Sequence, residues 1–216
     1  MDFKGIIFDL DGTLAFTLED ISDSMNRVLK LSGFKEHSYE EYRNLIGHGI
    51  KNLVTNSLPD EHRNNKTIEA AFSDMINDYS ENCLIKTKLY DGISEALEYL
   101  SGKCVNLAVF SNKSHKLTVK IVNTLIKPGI IDIIIGQQPS IPVKPNPEGA
   151  LLISRQWDIP ANQIAYIGDS GVDMSTANNA GMYAIGVLWG YRDKKDLMDN
   201  GAKKIITTPF ELLNIF

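Results

Sequence analysis

Short, continuous apolar runs alternate with helix-period segments along most of this chain. The runs lie at residues 5–8, 105–110, 130–135, 164–167, 184–188 and 204–206. Such runs are typical of strands that are buried on both faces of a parallel sheet. From residue 89 onward, apolar residues at helical spacing separate them, as in Ile93, Ala96, Leu97 and Leu100. This alternation predicts βαβ units and an α/β fold with a doubly wound parallel sheet.

The segment from residue 15 to residue 88 has a different pattern. It shows no convincing strand, but three amphipathic helices are indicated near residues 21–29, 50–58 and 68–79. Roughly 70 helical residues are more than a crossover between neighbouring strands needs. We therefore predict a core of residues 1–14 and 89–216 and an inserted α-helical cap domain of residues 15–88.

The charge balance argues against a nucleic-acid partner. Lys and Arg total 22 against 27 Asp and Glu, the formal net charge is -5, and neither sign forms a long block. An anionic ligand would therefore need a local attraction, such as a metal ion, a lysine or aimed backbone N–H groups.

Cysteine usage and hydropathy indicate the compartment. Only Cys83 and Cys104 occur, without CxxC spacing, which suits a reducing environment and two half-buried thiols. The N-terminal apolar run is too short for a signal peptide, and no stretch is long enough to span a membrane. We predict a cytoplasmic monomer or homodimer with no membrane partner.

Polar residues follow the apolar runs where strands are expected to end. Asp9 ends the first run, Ser111 and Asn112 follow the second, and Asp169 follows the fourth, while Lys144 comes soon after the third. In an open parallel sheet, ligands bind outside the carboxyl ends of the strands. These side chains are therefore predicted to converge on one crevice.

Two motif interpretations fail at this point. DLDG at residues 9–12 resembles the start of a calcium loop, but that loop needs Gly at its sixth position and Glu at its twelfth, where this chain has Leu14 and Asp20. GDSG at residues 168–171 resembles a nucleophile elbow, but its second glycine comes one position too early. Ser170 is instead predicted to cap the following helix.

Four motifs together give the chain a family resemblance. In order they are DLDGT at 9–13, SN at 111–112, KP at 144–145 and GDSGVD at 168–173. With them, the chain resembles phosphatases of the haloacid dehalogenase superfamily that carry a helical cap after the first motif. LWGY at 188–191 and the ending NGAKKIITTPFELL further resemble the phosphoglycolate phosphatase branch.

The resemblance implies Mg²⁺-dependent hydrolysis of a small phosphorylated metabolite through an aspartyl phosphate. Asp9 would be the nucleophile. Asp9, the backbone carbonyl of Asp11, and Asp169 would hold the Mg²⁺, an ion that prefers hard oxygen ligands. The side chain of Asp11 would act first as acid and then as base.

The remaining roles follow from the same resemblance. Lys144 would neutralise developing charge, together with phosphoryl-binding contacts from Ser111, Asn112 and Thr13. Asp173 would orient Lys144 or a metal-bound water, and the alternative that it stabilises the first turn of a helix stays open.

A glycine-bounded loop in the predicted cap is a candidate for substrate selection. In IGHGIK at residues 46–51, the two glycines permit a sharp turn before a helix. His48 and Lys51 could bind an anionic leaving group there, with Arg43 a weaker candidate. A solvent-exposed turn with no role in binding is the alternative.

Other activities remain as alternatives. Asp11 favours phosphate esters, because relatives that cleave carbon–halogen or carbon–phosphorus bonds lack an aspartate at that position. A phosphosugar mutase and a pyrophosphatase of the same superfamily stay open. A non-catalytic phosphate-sensing module would be expected to lack one of Asp9, Asp11, Lys144 or Asp169, and all four are present.

Overall fold

The computed structural model describes residues 3–215. The chain folds into two compact units: a sheet unit of Met1–Phe16 and Leu89–Phe216, and a helical unit of Thr17–Lys88.

A parallel six-stranded sheet forms the centre of the sheet unit. The strands of the described chain are β1 Gly5–Phe8, β2 Ala15–Phe16, β3 Lys88–Leu89, β4 Asn106–Ser114, β5 Ile133–Gln137, β6 Ile164–Gly168, β7 Tyr183–Val187 and β8 Lys204–Ile206. The order in the large sheet is β5-β4-β1-β6-β7-β8, and each neighbouring pair is parallel. The predicted α/β fold and its six main strands are confirmed.

The two shortest strands were not predicted. β2 and β3 pair as a separate two-stranded sheet, at the two ends of the segment that was expected to contain no strand. Each has only two residues, too few for a period-2 pattern to be visible in the sequence.

Helices cover the sheet because their apolar faces need burial. The helices of the sheet unit are α5 Ile93–Gly102, α6 His115–Leu125, α7 Glu148–Trp157, α8 Gly171–Asn179 and α9 Lys194–Asp199. Short 3-10 helices also occur in this unit at Ala161–Gln163 and Pro209–Asn214, and in the helical unit at Asp60–His62. The predicted apolar spacing of α5 is confirmed, since Ile93, Ala96, Leu97 and Leu100 are all buried.

One helix approaches the sheet at a glycine. A Cβ atom added at Gly149, the second residue of α7, would lie 2.4 Å from the ring of Phe110 on β4. Phe110 is buried in a cluster that includes Ile7, Ile153 and Tyr166. The absence of a side chain at position 149 therefore allows α7 to pack directly onto this ring.

The helical unit contains four α-helices: α1 Leu18–Leu31, α2 Tyr39–Leu45, α3 Ile50–Ser57 and α4 Asn65–Asn82. Met25, Leu29, Val54, Met75 and Tyr79 are fully buried in it. Arg27 on α1 pairs with Asp78 on α4 at 2.6 Å.

Helix α2 was missed by the sequence analysis because Tyr42 is its single buried residue, so it shows no apolar stripe. A different signal was present. Ser38 accepts the N–H of Glu41, and the Glu41 carboxylate accepts the N–H of Ser38 at 2.7 Å, which is a capping box.

Two further features of the described residues are the apolar character of the helices and the burial of the two cysteines. Between residues 3 and 215, no helix combines the length and the apolar character needed to cross a bilayer. The two cysteines are free thiols, but they are not both half-buried as expected: Cys83 is buried and Cys104 is exposed.

Candidate active site

Three buried aspartates cluster where β1 and β6 end. Asp9 directly follows β1, Asp169 directly follows β6, and Asp173 lies in the first turn of α8. Carboxylate oxygens from the three residues lie within 4.8 Å of one another. The adjacent parallel strands β1 and β6 explain the first pair, because their carboxyl ends meet at the same edge of the sheet.

Lys144 lies between two of these carboxylates. Its Nζ is 2.8 Å from Asp9 Oδ1 and 2.7 Å from Asp173 Oδ1, and its side chain is 3% exposed. The other oxygen of Asp173 accepts the N–H and the hydroxyl of Ser170. Both interpretations of Asp173 therefore describe real contacts: it faces Lys144 and it completes the cap of α8.

Asn112 fixes the backbone of Lys144 in two directions. Asn112 Oδ1 accepts the Lys144 N–H at 2.8 Å, and Asn112 Nδ2 donates to the Lys144 carbonyl at 3.2 Å. The side-chain amide thus holds the loop that carries the lysine. The predicted contact between Asn112 and a phosphate stays a prediction.

Burial and mutual repulsion make these carboxylates hard to ionise without a cation. Burial raises the pKa of Asp9 to about 7, Lys144 opposes that shift, and the negative charges of Asp173 and Asp11 add to it. Burial, followed by Asp173 and Asp9, raises the pKa of Asp169 well above its usual range. Burial alone would lower the pKa of Lys144, but Asp173 and Asp9 hold it well above its ordinary value.

Asp11 has a lysine partner that the sequence analysis missed. Lys113 Nζ lies 2.9 Å from each carboxylate oxygen of Asp11. The pairing of β4 with β5 shifts register between Phe110 and Ser114, so simple alternation along the strand does not tell which way residue 113 faces. The position of Lys113 directly after the Ser-Asn motif was the only signal available.

Two residues with hydroxyl groups that were predicted to contact the phosphoryl group, Ser111 and Thr13, are buried. Ser111 is 2% exposed and Thr13 is fully buried. Among residues 3–215, Thr13 Oγ1 finds no hydrogen-bond partner. Because buried hydroxyls are normally paired, this oxygen is available to a ligand.

The loop after β7 packs tightly against Asp169. The N–H of Tyr191 donates to Asp169 Oδ2 at 2.7 Å, and Trp189 Nε1 donates to the carbonyl of Thr13 at 2.9 Å. A Cβ at Gly190 would lie 2.4 Å from the carbonyl oxygen of Gly12. The LWGY stretch, noted in the sequence only for its resemblance, therefore holds one oxygen of Asp169.

The donor set fits a hard divalent cation. Asp9 and Asp169 offer carboxylate oxygens, and both have raised pKa values that a nearby positive charge would relieve. Asp173 is already bonded through both of its oxygens, to Lys144 and to Ser170. Asp9 and Asp169 are thus the two side chains of this cluster that are best placed to bind a metal ion.

The candidate loop of the helical unit has the predicted glycine geometry. Gly47 and Gly49 have positive φ angles of 114° and 84°, and Gly49 is the residue before α3. His48 is exposed. Lys51 is also exposed and bonds Glu69 on α4 at 2.5 Å.

Comparisons with known proteins agree with the motifs and the fold. A family model described as haloacid dehalogenase-like hydrolase matches residues 6–187. A phosphoglycolate phosphatase from Aquifex aeolicus is 32% identical over 186 residues, which cover 86% of this chain and 85% of that protein. One from Nitrosospira multiformis is 27% identical and covers 98% and 94% of the two chains.

A solved structure agrees over the whole length. A candidate phosphoglycolate phosphatase from Lactobacillus delbrueckii subsp. bulgaricus has a TM-score of 0.92 at 28% identity, covering 100% of this chain and 98% of its own. The chain therefore belongs to the haloacid dehalogenase-like hydrolase family, as an enzyme of its phosphoglycolate phosphatase-like branch.

Proposed function

We propose that this enzyme hydrolyses a small phosphomonoester, with 2-phosphoglycolate the first candidate, through an aspartyl phosphate on Asp9 and with Mg²⁺ as cofactor. One observation carries the proposal: buried Asp9 lies 2.8 Å from Lys144 at the end of the central strand β1, within 4.8 Å of Asp169 and Asp173. The names of the Aquifex and Nitrosospira relatives support the choice of substrate.

Asp9 attacks phosphorus in this mechanism. One of its oxygens forms a bond to phosphorus as the bond to the leaving oxygen breaks, and water later cleaves the aspartyl phosphate to restore the carboxylate. The contact with Lys144 keeps Asp9 oriented and offsets part of the repulsion between the carboxylate and the phosphate.

Asp9, Asp169 and the main-chain carbonyl of Asp11 would hold the Mg²⁺. When bound, the ion neutralises charge between the nucleophile and the phosphate. The N–H of Tyr191 keeps Asp169 oriented by occupying its Oδ2.

Asp11 moves the protons. Its carboxyl group donates a proton to the leaving oxygen in the first step, and the resulting carboxylate takes a proton from the attacking water in the second. One group therefore serves both steps, and it returns to its starting state at the end of each cycle.

Thr13 and Ser111 would donate hydrogen bonds to the transferring phosphoryl group. The unpartnered hydroxyl of Thr13 supports this role, because its oxygen is buried and has a hydrogen bond to offer. Asn112 fixes the backbone of Lys144, and Asp173 fixes its ammonium group.

We propose that the helical unit is a cap that selects the leaving group. The roles of His48, Lys51 and Arg43 in that selection stay predictions. So do the cytoplasmic location and the choice between monomer and homodimer.

A phosphate-release screen tests the function. The substrates are 2-phosphoglycolate, several sugar phosphates, nucleotides, pyridoxal phosphate and pyrophosphate, each with Mg²⁺ and with EDTA. We expect release from a small monoester in Mg²⁺ and its loss in EDTA. Full activity after metal stripping would refute the cofactor assignment, and preferential cleavage of pyrophosphate or isomerisation of a sugar phosphate would replace the proposed reaction by one of the alternatives.

A further inference from the structure

Lys113 is a buried cation with no part in the mechanism above. Its side chain is 2% exposed, and its Nζ lies 2.9 Å from both oxygens of Asp11, whose own side chain is 12% exposed. A lysine is rarely buried unless a partner compensates for the lost hydration of its ammonium group. The contact with Asp11 therefore compensates for part of this lost hydration.

The backbone of Lys113 is held from two directions. Its N–H donates to Ser111 Oγ at 3.3 Å, and its carbonyl accepts the hydroxyl of Thr118 on α6 at 3.2 Å. Next to it on β5, a Cβ atom at Gly136 would lie 2.7 Å from the Lys113 carbonyl oxygen. The lysine thus extends from a packed and hydrogen-bonded strand end.

The two buried lysines contact different carboxylates. Lys144 bonds Asp9 and Asp173, whereas Lys113 bonds Asp11. An acid or base must lie within roughly 2.6 to 3.2 Å of the atom that gives or takes the proton, so a freely rotating aspartate would spend much of its time out of reach. Contact with both oxygens restricts that rotation in the carboxylate form, which is the form that takes a proton from the attacking water in the second step.

We propose that Lys113 is a positioning residue that orients the side chain of Asp11 for proton transfer. The inference rests on the proposed function, because it requires Asp11 to be the acid and base. No covalent bond to Lys113 forms or breaks. Its effect on the rate therefore passes entirely through Asp11.

A double-mutant cycle tests this dependence. Phosphate release from the preferred monoester is measured in Mg²⁺ for Lys113→Met, for Asp11→Asn and for the double variant. We expect Lys113→Met to lower kcat roughly 10-fold with little change in KM, and to change kcat less than about 2-fold when Asp11 is already Asn. Lys113→Arg, which keeps a cation at this position, should recover part of the loss.

A matched control removes a lysine from an exposed pair. Lys127 bonds Glu98 at 2.5 Å and is 70% exposed, so Lys127→Met should leave kcat unchanged. Melting temperatures provide a readout that needs no activity. Lys113→Met should lower the melting temperature, and adding Asp11→Asn should restore part of it, because the second change removes the carboxylate left without its lysine.

The outcomes separate this inference from the proposed function. Equal losses of kcat from Lys113→Met in both backgrounds, or a raised KM with kcat unchanged, would overturn the positioning role while the hydrolysis stands. A wild-type enzyme that cleaves no phosphomonoester would overturn both, and coupled melting temperatures would then identify the pair as purely structural.

Discussion

Four carboxylates lie near one another at the candidate active site, and no two of them have the same set of partners. Asp9 faces Lys144, Asp11 faces Lys113, Asp173 faces Lys144 and Ser170, and Asp169 accepts the N–H of Tyr191. The environment of a carboxylate sets both its orientation and its affinity for a proton. These pairings therefore give chemically identical groups the different environments that the proposed roles require.

The substitution Asp9→Asn should abolish turnover while leaving the fold intact. The amide group of asparagine cannot form the aspartyl phosphate. The substitution also removes the Asp9 carboxylate, whose pKa is raised to about 7, so it should raise the melting temperature of the metal-free protein at alkaline pH. Rapid quenching with labelled substrate checks the assignment, and label found on any residue other than Asp9 would refute it.

Asp11→Asn should slow turnover about 100-fold or more, since proton transfer is lost from both steps. The loss should be smaller for 4-nitrophenyl phosphate than for an alkyl phosphate if the first step limits the rate, because a nitrophenolate departs without an acid. Steady-state kinetics on the two substrates measure this ratio. Identical losses would show that the second step, or a different role for Asp11, determines the rate.

Gly12→Ala should impair both metal binding and activity. Gly12 has a φ of +83°, and an added Cβ would lie 2.3 Å from Asp169 Oδ2. Gly33→Ala is the matched control, because Gly33 has a similar φ of +75° with nothing within 4 Å of the added atom. Both variants carry backbone strain, so an equal fall in Mg²⁺ affinity, measured by calorimetry, would contradict a specific clash with Asp169.

The sequence predicted the site carboxylates and Lys144, because these residues follow apolar runs whose order in a parallel sheet can be inferred. It did not predict Lys113 as the partner of Asp11, nor the mutual bonds of Asn112 and Lys144. Those contacts depend on a register shift in β4 and on the path of a loop, and neither leaves a periodic trace in the sequence.

At the scale of elements, buried strands were easier to predict than short or exposed elements. β1 and β8 have the predicted bounds, because every residue of β1 is buried and the apolar run ends at a charged residue. β4 continues past the predicted end at residue 110 to Ser114, since its last residues are polar but still paired with β5. α2 has no apolar stripe: its capping box of Ser38 and Glu41 can be read from the sequence, whereas the burial of Tyr42 depends on tertiary packing.

The substitution Gly149→Ala should destabilise the fold, against the usual trend for helices. Alanine is favoured over glycine in a helix by about 1 kcal/mol, but the added Cβ would lie 2.4 Å from the Phe110 ring, and overpacking of this kind costs about 1 to 3 kcal/mol. Gly102→Ala in α5 is the control, because nothing lies within 4 Å of its added atom. Denaturant unfolding of both variants should give opposite signs, and stabilisation by both would show that α7 can move away from the ring.

At the scale of the whole molecule, the excess of negative charge at the site links the proposed metal binding to the stability of the fold. The pKa of Asp9 is raised from 3.8 to about 7 in the folded protein. The folded state therefore binds a proton more tightly than the unfolded chain between these values, and the contribution of Asp9 to stability falls as the pH rises through this range.

Mg²⁺ should accordingly raise the melting temperature more at about pH 8 than at about pH 5, because the cation competes with protons for the same carboxylates. Thermal unfolding with and without Mg²⁺ across this range measures the difference. Asp9→Asn should flatten the dependence on pH. A shift that is the same at every pH would mean that Mg²⁺ stabilises the protein elsewhere.

The chain leaves the sheet unit after β2 and re-enters it at β3, and the N–H of Tyr90 donates to the carbonyl of Leu14 at 3.1 Å. The two splice points of the insertion are therefore hydrogen-bonded neighbours. The insertion is therefore one long loop between two hydrogen-bonded points of the sheet unit, and lengthening such a loop adds little to the entropic cost of closing it. An insertion of another length or fold can consequently be joined at these two points without moving Asp9. If the helical unit selects the leaving group, as proposed, recombination of insertions at these points should give hydrolases with new substrate preferences.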